Sequence, residues 1–301
     1  MTVIDVHRLR KRYGETTAVA DVSLAVEAGE IFGILGPNGA GKTTTVECIA
    51  GLRKPDGGRI GVLGREPGDP ALRRLVGVQL QESRLPEKMT VREALELFSA
   101  FYRDPADWRG LAAELGLTAK LRARFGKLSG GQRQRLSIAL ALLGNPRVAI
   151  LDELTTGLDP QARRDTWDLV SAVRDRGVTV VLVTHFMEEA ERLCDRVALI
   201  DAGCVVAVDT PGGLVSRVAA EQRIRFRPSV PVDERMLTAL PAVDAVVRHG
   251  PQLEVVGHGD LVQAVAATLA AHDVVALDLR IERVGLDEAF VRLTGRGSRE
   301  V

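Results

Sequence analysis

Apolar residues recur along the chain with two different periods, and the periods predict different elements. Val22, Leu24 and Val26 alternate with polar or small residues, which is typical of a strand with one buried face. Residues 31–35 form an unbroken apolar run, as expected for a strand that is buried on both faces. Similar runs predict strands at residues 148–151 and 178–183, with a helix at residues 162–175 between them.

A helical period dominates the segment from about residue 85 to residue 145. Thr90 and Glu93 have the spacing of a capping box, which predicts that a helix begins there. The apolar residues that follow at helical spacing are Val91, Ala94, Leu95, Phe98 and Phe101. Because strands alternate with helices elsewhere, we expect an α/β core with a largely parallel sheet, into which this helical segment is inserted.

A second, smaller domain is predicted after the Pro211-Gly212-Gly213 break. The pattern there gives a strand at 223–226, a helix at 233–240, strands at 243–248 and 253–256, a helix at 260–272 and a strand at 274–279. This βαββαβ order is typical of a small ferredoxin-like α+β module. A last amphipathic helix is expected at 286–294, ending at Gly295. We therefore expect a main domain at 1–215 and an accessory domain at 220–301.

Composition excludes several classes of protein. Hydrophobic residues make up 46% and charged residues 27% of the 301 positions, a globular balance without the signature of disorder. Lys plus Arg and Asp plus Glu both number 40, so no net field recruits nucleic acid, and we expect no nucleic-acid partner. The apolar runs fall short of the roughly 20 residues that a membrane-spanning helix needs. The start lacks the pattern of a signal peptide. Three unpaired, widely spaced cysteines favour the reducing cytosol.

A glycine-rich phosphate-binding loop follows the predicted strand at 31–35. The residues concerned are Gly36, Pro37, Asn38, Gly39, Ala40, Gly41, Lys42, Thr43 and Thr44, which match G-x-x-x-x-G-K-[ST]. Small residues let backbone N–H groups surround phosphates, and the helix that follows adds its positive N-terminal end. Lys42 is expected to reach the β- and γ-phosphates of ATP, and the Thr43 hydroxyl to bind Mg²⁺.

Two adjacent acids, Asp152 and Glu153, end the predicted strand at 148–151. Such a pair is common at strand ends and does not indicate a catalytic site by itself. Its presence beside a phosphate-binding loop favours a catalytic role. Asp152 at the carboxyl end of the strand is expected near Mg²⁺, because ligands collect at that edge of α/β sheets. Glu153 is then placed to orient or deprotonate the attacking water.

A third element opens the helix that leads towards residue 143. The residues Ser129, Gly130, Gly131 and Gln132 have capping-box spacing, which is a purely structural interpretation. Two glycines in a first turn cost helix stability, however, and would expose backbone N–H groups as a second anion site.

This order of elements resembles the ABC ATPase family, over residues 3 to about 213. The resemblance implies a P-loop NTPase core with an antiparallel β subdomain. It also implies that two subunits pack head to tail, so that each phosphate-binding loop faces the Ser129–Gln132 element of its partner. We expect a homodimer that holds ATP and Mg²⁺, together with a separate polytopic membrane permease.

The resemblance also assigns four single residues. Tyr13 matches the aromatic residue that stacks on adenine, although a tyrosine at a strand edge is an equal alternative. Gln81 matches the glutamine that approaches Mg²⁺ and the water, with Gln79 as a competing candidate. Asp159 matches the aspartate that crosses the dimer interface, and His185 matches the histidine that contacts the γ-phosphate.

Two further features bear on the resemblance. The family commonly has proline after the catalytic glutamate, whereas this chain has Leu154, and the change could loosen the loop that carries Glu153. The 286–296 segment is similar to the closing segment of the drug-resistance and ABC-2 export branch. The alternative is that this short helix only packs within its own module.

The function expected from these observations is ATP hydrolysis that drives a membrane exporter of drug-like or other small molecules. The subunit is then cytoplasmic and peripheral on the inner face of the membrane. The fold alone supports both import and export. Two alternatives are a soluble ABC ATPase that regulates ribosomes or DNA, and an immunity protein that binds ATP without pumping. The single set of motifs and the zero net charge argue against the first of these.

Overall fold

The computed structural model describes residues 1–80, 85–218, 222–282 and 285–295. The chain divides into two compact units, Met1–Pro211 and Gly212–Val301.

The first unit is built on one sheet. Its strands are β1 Thr2–Tyr13, β2 Thr16–Glu27, β3 Ile31–Leu35, β4 Gly57–Val62, β5 Val76–Gln79, β6 Val148–Asp152, β7 Thr179–Thr184, β8 Arg196–Asp201 and β9 Cys204–Asp209. Among the described residues they form a nine-stranded sheet in the order β4-β1-β2-β9-β8-β3-β7-β6-β5. Strands β8, β3, β7, β6 and β5 pair in parallel, whereas β4, β1 and β2 pair antiparallel. The fold is thus mixed α/β with an antiparallel subdomain.

The helices of this unit connect the strands. They are α1 Lys42–Ile49, α2 Val91–Ser99, α3 Trp108–Glu114, α4 Gly130–Leu142, α5 Pro160–Asp175 and α6 Met187–Leu193. Short 3₁₀ turns lie at Pro70–Arg74, Thr118–Lys120 and Phe125–Lys127. Helices α2, α3 and α4 all fall between β5 and β6, so the chain inserts a helical segment there.

The central strands agree with the apolar pattern. Strand β3 coincides with the predicted apolar run. Every position of β3, β6 and β7 is buried. In β2, Val22, Leu24 and Val26 are buried while Ser23 is exposed. Because β3, β6 and β7 are parallel neighbours, their carboxyl ends meet at one edge of the sheet.

The capping box that was predicted for α2 is present. The Thr90 hydroxyl accepts a hydrogen bond from Glu93 N at 3.2 Å, and the Glu93 carboxylate accepts one from Thr90 N at 2.7 Å. Val91, Ala94 and Leu95 are buried as expected. The inclusion of Phe101 in this apolar face was wrong, because α2 ends at Ser99 and Phe101 is 70% exposed.

The second unit contains a separate antiparallel sheet. Its elements are α7 Pro211–Val218, β10 Gln222–Pro228, α8 Arg235–Thr238, β11 Val243–His249, β12 Gln252–Gly257, α9 Leu261–Ala271, β13 Ala276–Glu282 and α10 Leu286–Thr294. The strand order is β11-β12-β10-β13. Helix α8 is shorter than the predicted 233–240 helix. Strand β13 begins two residues later than predicted, since Asp273 takes a positive φ and Val275 bonds to Ser229 instead.

The last helix buries its apolar face. Leu286, Ala289 and Phe290 of α10 are buried, and Gly295 ends the helix in the left-handed conformation. Burial of this face is what the packing interpretation of the segment expects. The proposed likeness to the closing segment of exporters stays a prediction.

Candidate active site

A cleft of about 620 Å³ opens at the carboxyl edge of β3, β6 and β7. The residues that line it are Tyr13, Thr16, Thr17, Ala18, Asn38, Gly39, Gly41, Lys42, Thr43, Thr44, Glu153, Thr156 and His185. The volume is in the range of small-molecule sites. Residues far apart in sequence are thus gathered around the phosphate-binding loop.

Glycines let the loop turn where a side chain could not fit. A Cβ atom on Gly36 would lie 2.1 Å from the Ile200 carbonyl oxygen, and one on Gly41 would lie 2.3 Å from that of Ala18. Gly41 also has a φ of 98°, a conformation that glycine adopts readily. The glycines at 36 and 41 therefore permit the tight turn by which the loop leads into α1.

Lys42 is the first residue of α1 and is buried. Its ammonium group donates hydrogen bonds to the carbonyl oxygens of Gly36 at 2.8 Å and Pro37 at 3.0 Å. Burial lowers the pKa of Lys42, while Glu153 and Asp152 raise it. A cation is thereby held over the loop beside two acids.

Asp152 is fully buried at the end of β6. Neither of its carboxylate oxygens accepts a hydrogen bond of ordinary geometry from the described residues. Burial and then the charge of Glu153 raise the pKa of Asp152 to about 6, although the nearby Thr43 hydroxyl lowers it.

Glu153 adopts a left-handed backbone, with a φ of 50°. Such a conformation is uncommon outside glycine and tends to cluster at functional sites. Its backbone N–H bonds to Val183 O at 2.9 Å, and its Oε1 lies 3.2 Å from Nδ1 of His185. Leu154, which stands where the family commonly has proline, is buried.

Gln79 has a structural function. It is buried, its Oε1 accepts a hydrogen bond from Asp152 N at 3.1 Å, and its Nε2 donates to Leu80 O at 2.9 Å. These bonds occupy the amide that a metal would need, so Gln79 is the weaker of the two candidates. Gln81 lies outside the described residues.

Ser129, Gly130, Gly131 and Gln132 line a different cleft, of about 210 Å³, together with Arg135, Gly157, Leu158, Asp159 and Ala162. The capping box is formed, because the Ser129 hydroxyl accepts from Gln132 N at 3.3 Å. The glycines also permit close packing, since Cβ atoms on Gly130 and Gly131 would lie 3.2 and 3.3 Å from Leu158 and Ala162. Packing thus explains part of the need for two glycines in this turn, which the sequence analysis interpreted as a second anion site.

Asp159 and Tyr13 have local partners within the chain. Asp159 caps α5, its Oδ1 accepting from Gln161 N at 3.0 Å and Ala162 N at 2.9 Å. Tyr13 is the last residue of β1 and is 43% exposed. The Lys11 ammonium lies 5.4 Å from the centroid of its ring. Tyr13 lines the phosphate-loop cleft whereas Asp159 does not.

Comparison with known proteins shows which family the chain resembles. A sequence profile of the family described as ABC transporter matches residues 19–156. The chain is 37% identical over 308 residues to the Nod factor export ATP-binding protein I of Ralstonia nicotianae, covering 99% of this chain and 95% of that protein. It is 33% identical over 312 residues to the linearmycin resistance ATP-binding protein LnrL of Bacillus subtilis, covering 99% and 100%.

The chain belongs to the ABC transporter family. Within that family it is an ATP-binding protein, and its reaction is ATP hydrolysis coupled to transport. A solved ATP-binding subunit of an ABC transporter has a TM-score of 0.65 at 29% identity, covering 72% of this chain and 93% of that one. In the described part of this ABC ATPase, no helix has the length and apolar character to cross a membrane.

Sequence reasoning missed some residues of the ABC ATPase cleft. Thr16, Thr17 and Thr156 line it, but nothing in the local pattern distinguishes these threonines from surface residues. Thr156 has the clearest signal, since it lies three residues after Glu153, and its hydroxyl lies 3.4 Å from Glu153 Oε2.

Replacing Gln79 with leucine tests its structural function. We expect Gln79→Leu to lower the free energy of unfolding by about 1–3 kcal/mol, because the buried Asp152 N–H loses its acceptor. Urea unfolding would measure this, with the exposed Gln161→Leu as control, expected within about 0.5 kcal/mol of wild type. Unchanged stability combined with an altered Mg²⁺ dependence of ATP hydrolysis would instead assign Gln79 to the metal.

Asp152 makes the stability of the nucleotide-free protein depend on pH. A pKa raised from 3.8 to about 6 favours the protonated carboxyl in the folded state. That stabilisation is complete below the unfolded pKa and is lost as pH rises through about 6. Relative to Asp152→Asn, wild type in EDTA should therefore lose roughly 1–2 kcal/mol between pH 5 and pH 8. A difference between the two proteins that does not vary with pH would contradict this account.

Proposed function

We propose that this ABC ATPase is the ATP-hydrolysing subunit of an exporter and that its phosphate-loop cleft is the catalytic site. The observation that carries the proposal is the convergence of Lys42, Glu153 and His185 on one cleft. Each residue follows the carboxyl end of a different strand, β3, β6 or β7. The parallel pairing of these strands therefore sets the spacing of the three side chains.

Each group has a chemical role that suits its place. Lys42 and the backbone N–H groups of the loop bind the phosphates, and Tyr13 supports the adenine by stacking. Glu153 orients the attacking water and accepts its proton, a contribution that is typically about 10²–10⁴ in rate. His185, 3.2 Å from Glu153, faces the γ-phosphate and holds the Glu153 carboxylate in place.

The residues present fit a magnesium ion. Asp152 offers two buried oxygens without hydrogen-bond partners, and Thr43 offers a hydroxyl beside it. No three His, Cys, Asp or Glu side chains converge anywhere in the described ranges. Sparse protein ligation of this kind suits Mg²⁺, which takes its other ligands from water and substrate phosphates. When bound, the ion would neutralise charge on the phosphates, with Thr43, Asp152 and Gln81 as the proposed protein ligands.

A second copy of the chain completes the site. Ser129–Gln132 and Asp159 line a cleft of their own instead of the phosphate-loop cleft, so one chain leaves the two elements apart. Head-to-tail pairing of two chains would bring the exposed Ser129 element to the γ-phosphate held by the partner. The working unit that we propose is a homodimer with ATP at each interface.

Light scattering tests the dimer. The Glu153→Gln variant with Mg-ATP should double its mass, and addition of Ser129→Arg should keep it monomeric while its phosphate loop still binds ATP. ATP-bound monomer in the absence of Ser129→Arg would reject the shared site but not ATP binding itself.

Closure of this dimer would drive a separate polytopic permease, with the subunit held at the inner face of the membrane. The proteins that it resembles over nearly their full length are named for Nod factor export and for linearmycin resistance, which supports export of small molecules. We propose residues 1–215 as the nucleotide-binding domain, with 85–145 as the helical subdomain facing the permease. Residues 220–301 form an accessory module, and its strand order supports a ferredoxin-like arrangement.

A further inference from the structure

A buried carboxylate that the cleft does not use lies behind it. Glu189, on helix α6, is 1% exposed, and its Oε1 accepts a hydrogen bond from Trp167 Nε1 of helix α5 at 3.0 Å. Trp167 is itself 3% exposed. Taking a carboxylate out of water is costly unless hydrogen bonds compensate, so a group in this position needs an explanation.

The surroundings of Glu189 come from both loops that carry the proposed catalytic groups. Thr184 is the residue before His185, and Thr155 is the second residue after Glu153. Their hydroxyls lower the pKa of Glu189 against the larger effect of burial, which raises it. Glu189 Oε2 and Thr155 Oγ1 make no hydrogen bond of full geometry with a described residue, so Thr155 is a close neighbour of Glu189 and not a hydrogen-bond partner.

A stack of three planar side chains connects helix α5 to His185. The Arg163 guanidinium of α5 lies 4.5 Å from the ring centroid of Phe186. The Phe186 ring lies 4.1 Å from that of His185, and Phe186 N donates to the Thr184 hydroxyl at 3.0 Å. Arg163 also lowers the pKa of Glu189 by its charge. Hence α5, α6 and the two catalytic loops meet around one carboxylate.

We propose that Glu189 is a positioning residue for ATP hydrolysis, which holds His185 in register with helix α5 through Trp167 and Thr184, beside the 153–156 loop. The inference rests on the proposed roles of Glu153 and His185. A carboxylate suits this function because it accepts hydrogen bonds from several directions, whereas an apolar side chain would fill the space without fixing any loop.

The test compares two adjacent glutamates, of which Glu189 is buried and Glu188 is exposed. We expect Glu189→Met in the full chain to lower kcat for ATP hydrolysis about tenfold, since small misplacements of catalytic groups are costly. The KM for ATP should change less than about twofold, because the phosphate loop is untouched. Glu189→Gln keeps an acceptor for Trp167 and should retain at least half of kcat, as should Glu188→Met.

Other outcomes overturn the inference. A kcat for Glu189→Met within twofold of wild type, or equal losses in Glu189→Gln and Glu189→Met, would reject the positioning role. If Glu189→Met does not fold, Trp167→Phe decides, since removing the donor should lower kcat at least threefold at unchanged KM. Glu153→Gln, measured in parallel, separates the proposals: if it retains turnover, the proposed site fails, whatever the Glu189 variants do.

Discussion

Glu153→Gln is expected to abolish steady-state ATP hydrolysis while leaving ATP bound. The amide keeps the shape of the side chain but cannot accept the proton of the attacking water. General-base catalysis contributes about 10²–10⁴ in rate, so turnover should fall at least 100-fold. The dissociation constant for ATP should stay within about threefold, because in the proposed site Lys42 and the loop hold the phosphates. Phosphate release and equilibrium binding of a fluorescent ATP analogue would measure the two quantities.

The matched control is Glu188→Gln, the same substitution at an exposed position in the first turn of α6. It should hydrolyse ATP within twofold of wild type. Turnover by Glu153→Gln above a tenth of wild type would mean that another group activates the water.

Lys42→Met has the second large expected effect, on binding. The ammonium group donates hydrogen bonds to two loop carbonyls at 2.8 and 3.0 Å, and in the proposed site it would supply the positive charge that faces the phosphates. Hydrogen bonds to charged groups are worth about 1.5–3 kcal/mol, so the loss of phosphate contacts should weaken ATP affinity by roughly 100-fold. Isothermal titration with Mg-ATP measures it.

Lys54→Met provides the comparison for this loss. Lys54 is exposed in the loop between α1 and β4, and its replacement removes the same charge without touching the cleft. ATP affinity of Lys54→Met should match that of wild type. If both lysine variants bind ATP equally well, the loop is not the phosphate site.

Much of the core could be predicted from short-range pattern. Strand β3 and the loop after it follow directly from an apolar run and a glycine-rich motif, because local sequence sets both. The apolar run before Asp152 and Glu153 predicted that a strand ends at these two acids. Strand β6 does end at Asp152. Parallel pairing then brought His185 to the same edge.

Other features depend on tertiary partners and gave no local signal. Gln79 is structural because a neighbouring strand presents Asp152 N to it. The left-handed conformation of Glu153 is set by its surroundings and not by its residue type. Glu188 and Glu189 look alike in sequence, yet only Glu189 is buried, because α5 packs Trp167 against it.

We propose above all that ATP hydrolysis by this chain powers a separate membrane exporter. The most direct test is affinity purification of the tagged chain from gently solubilised native membranes, followed by ATPase assay of the eluate. We expect a polytopic membrane protein in stoichiometric amount and ATP hydrolysis that Glu153→Gln removes. Recovery of soluble partners alone, with full ATPase activity, would contradict it.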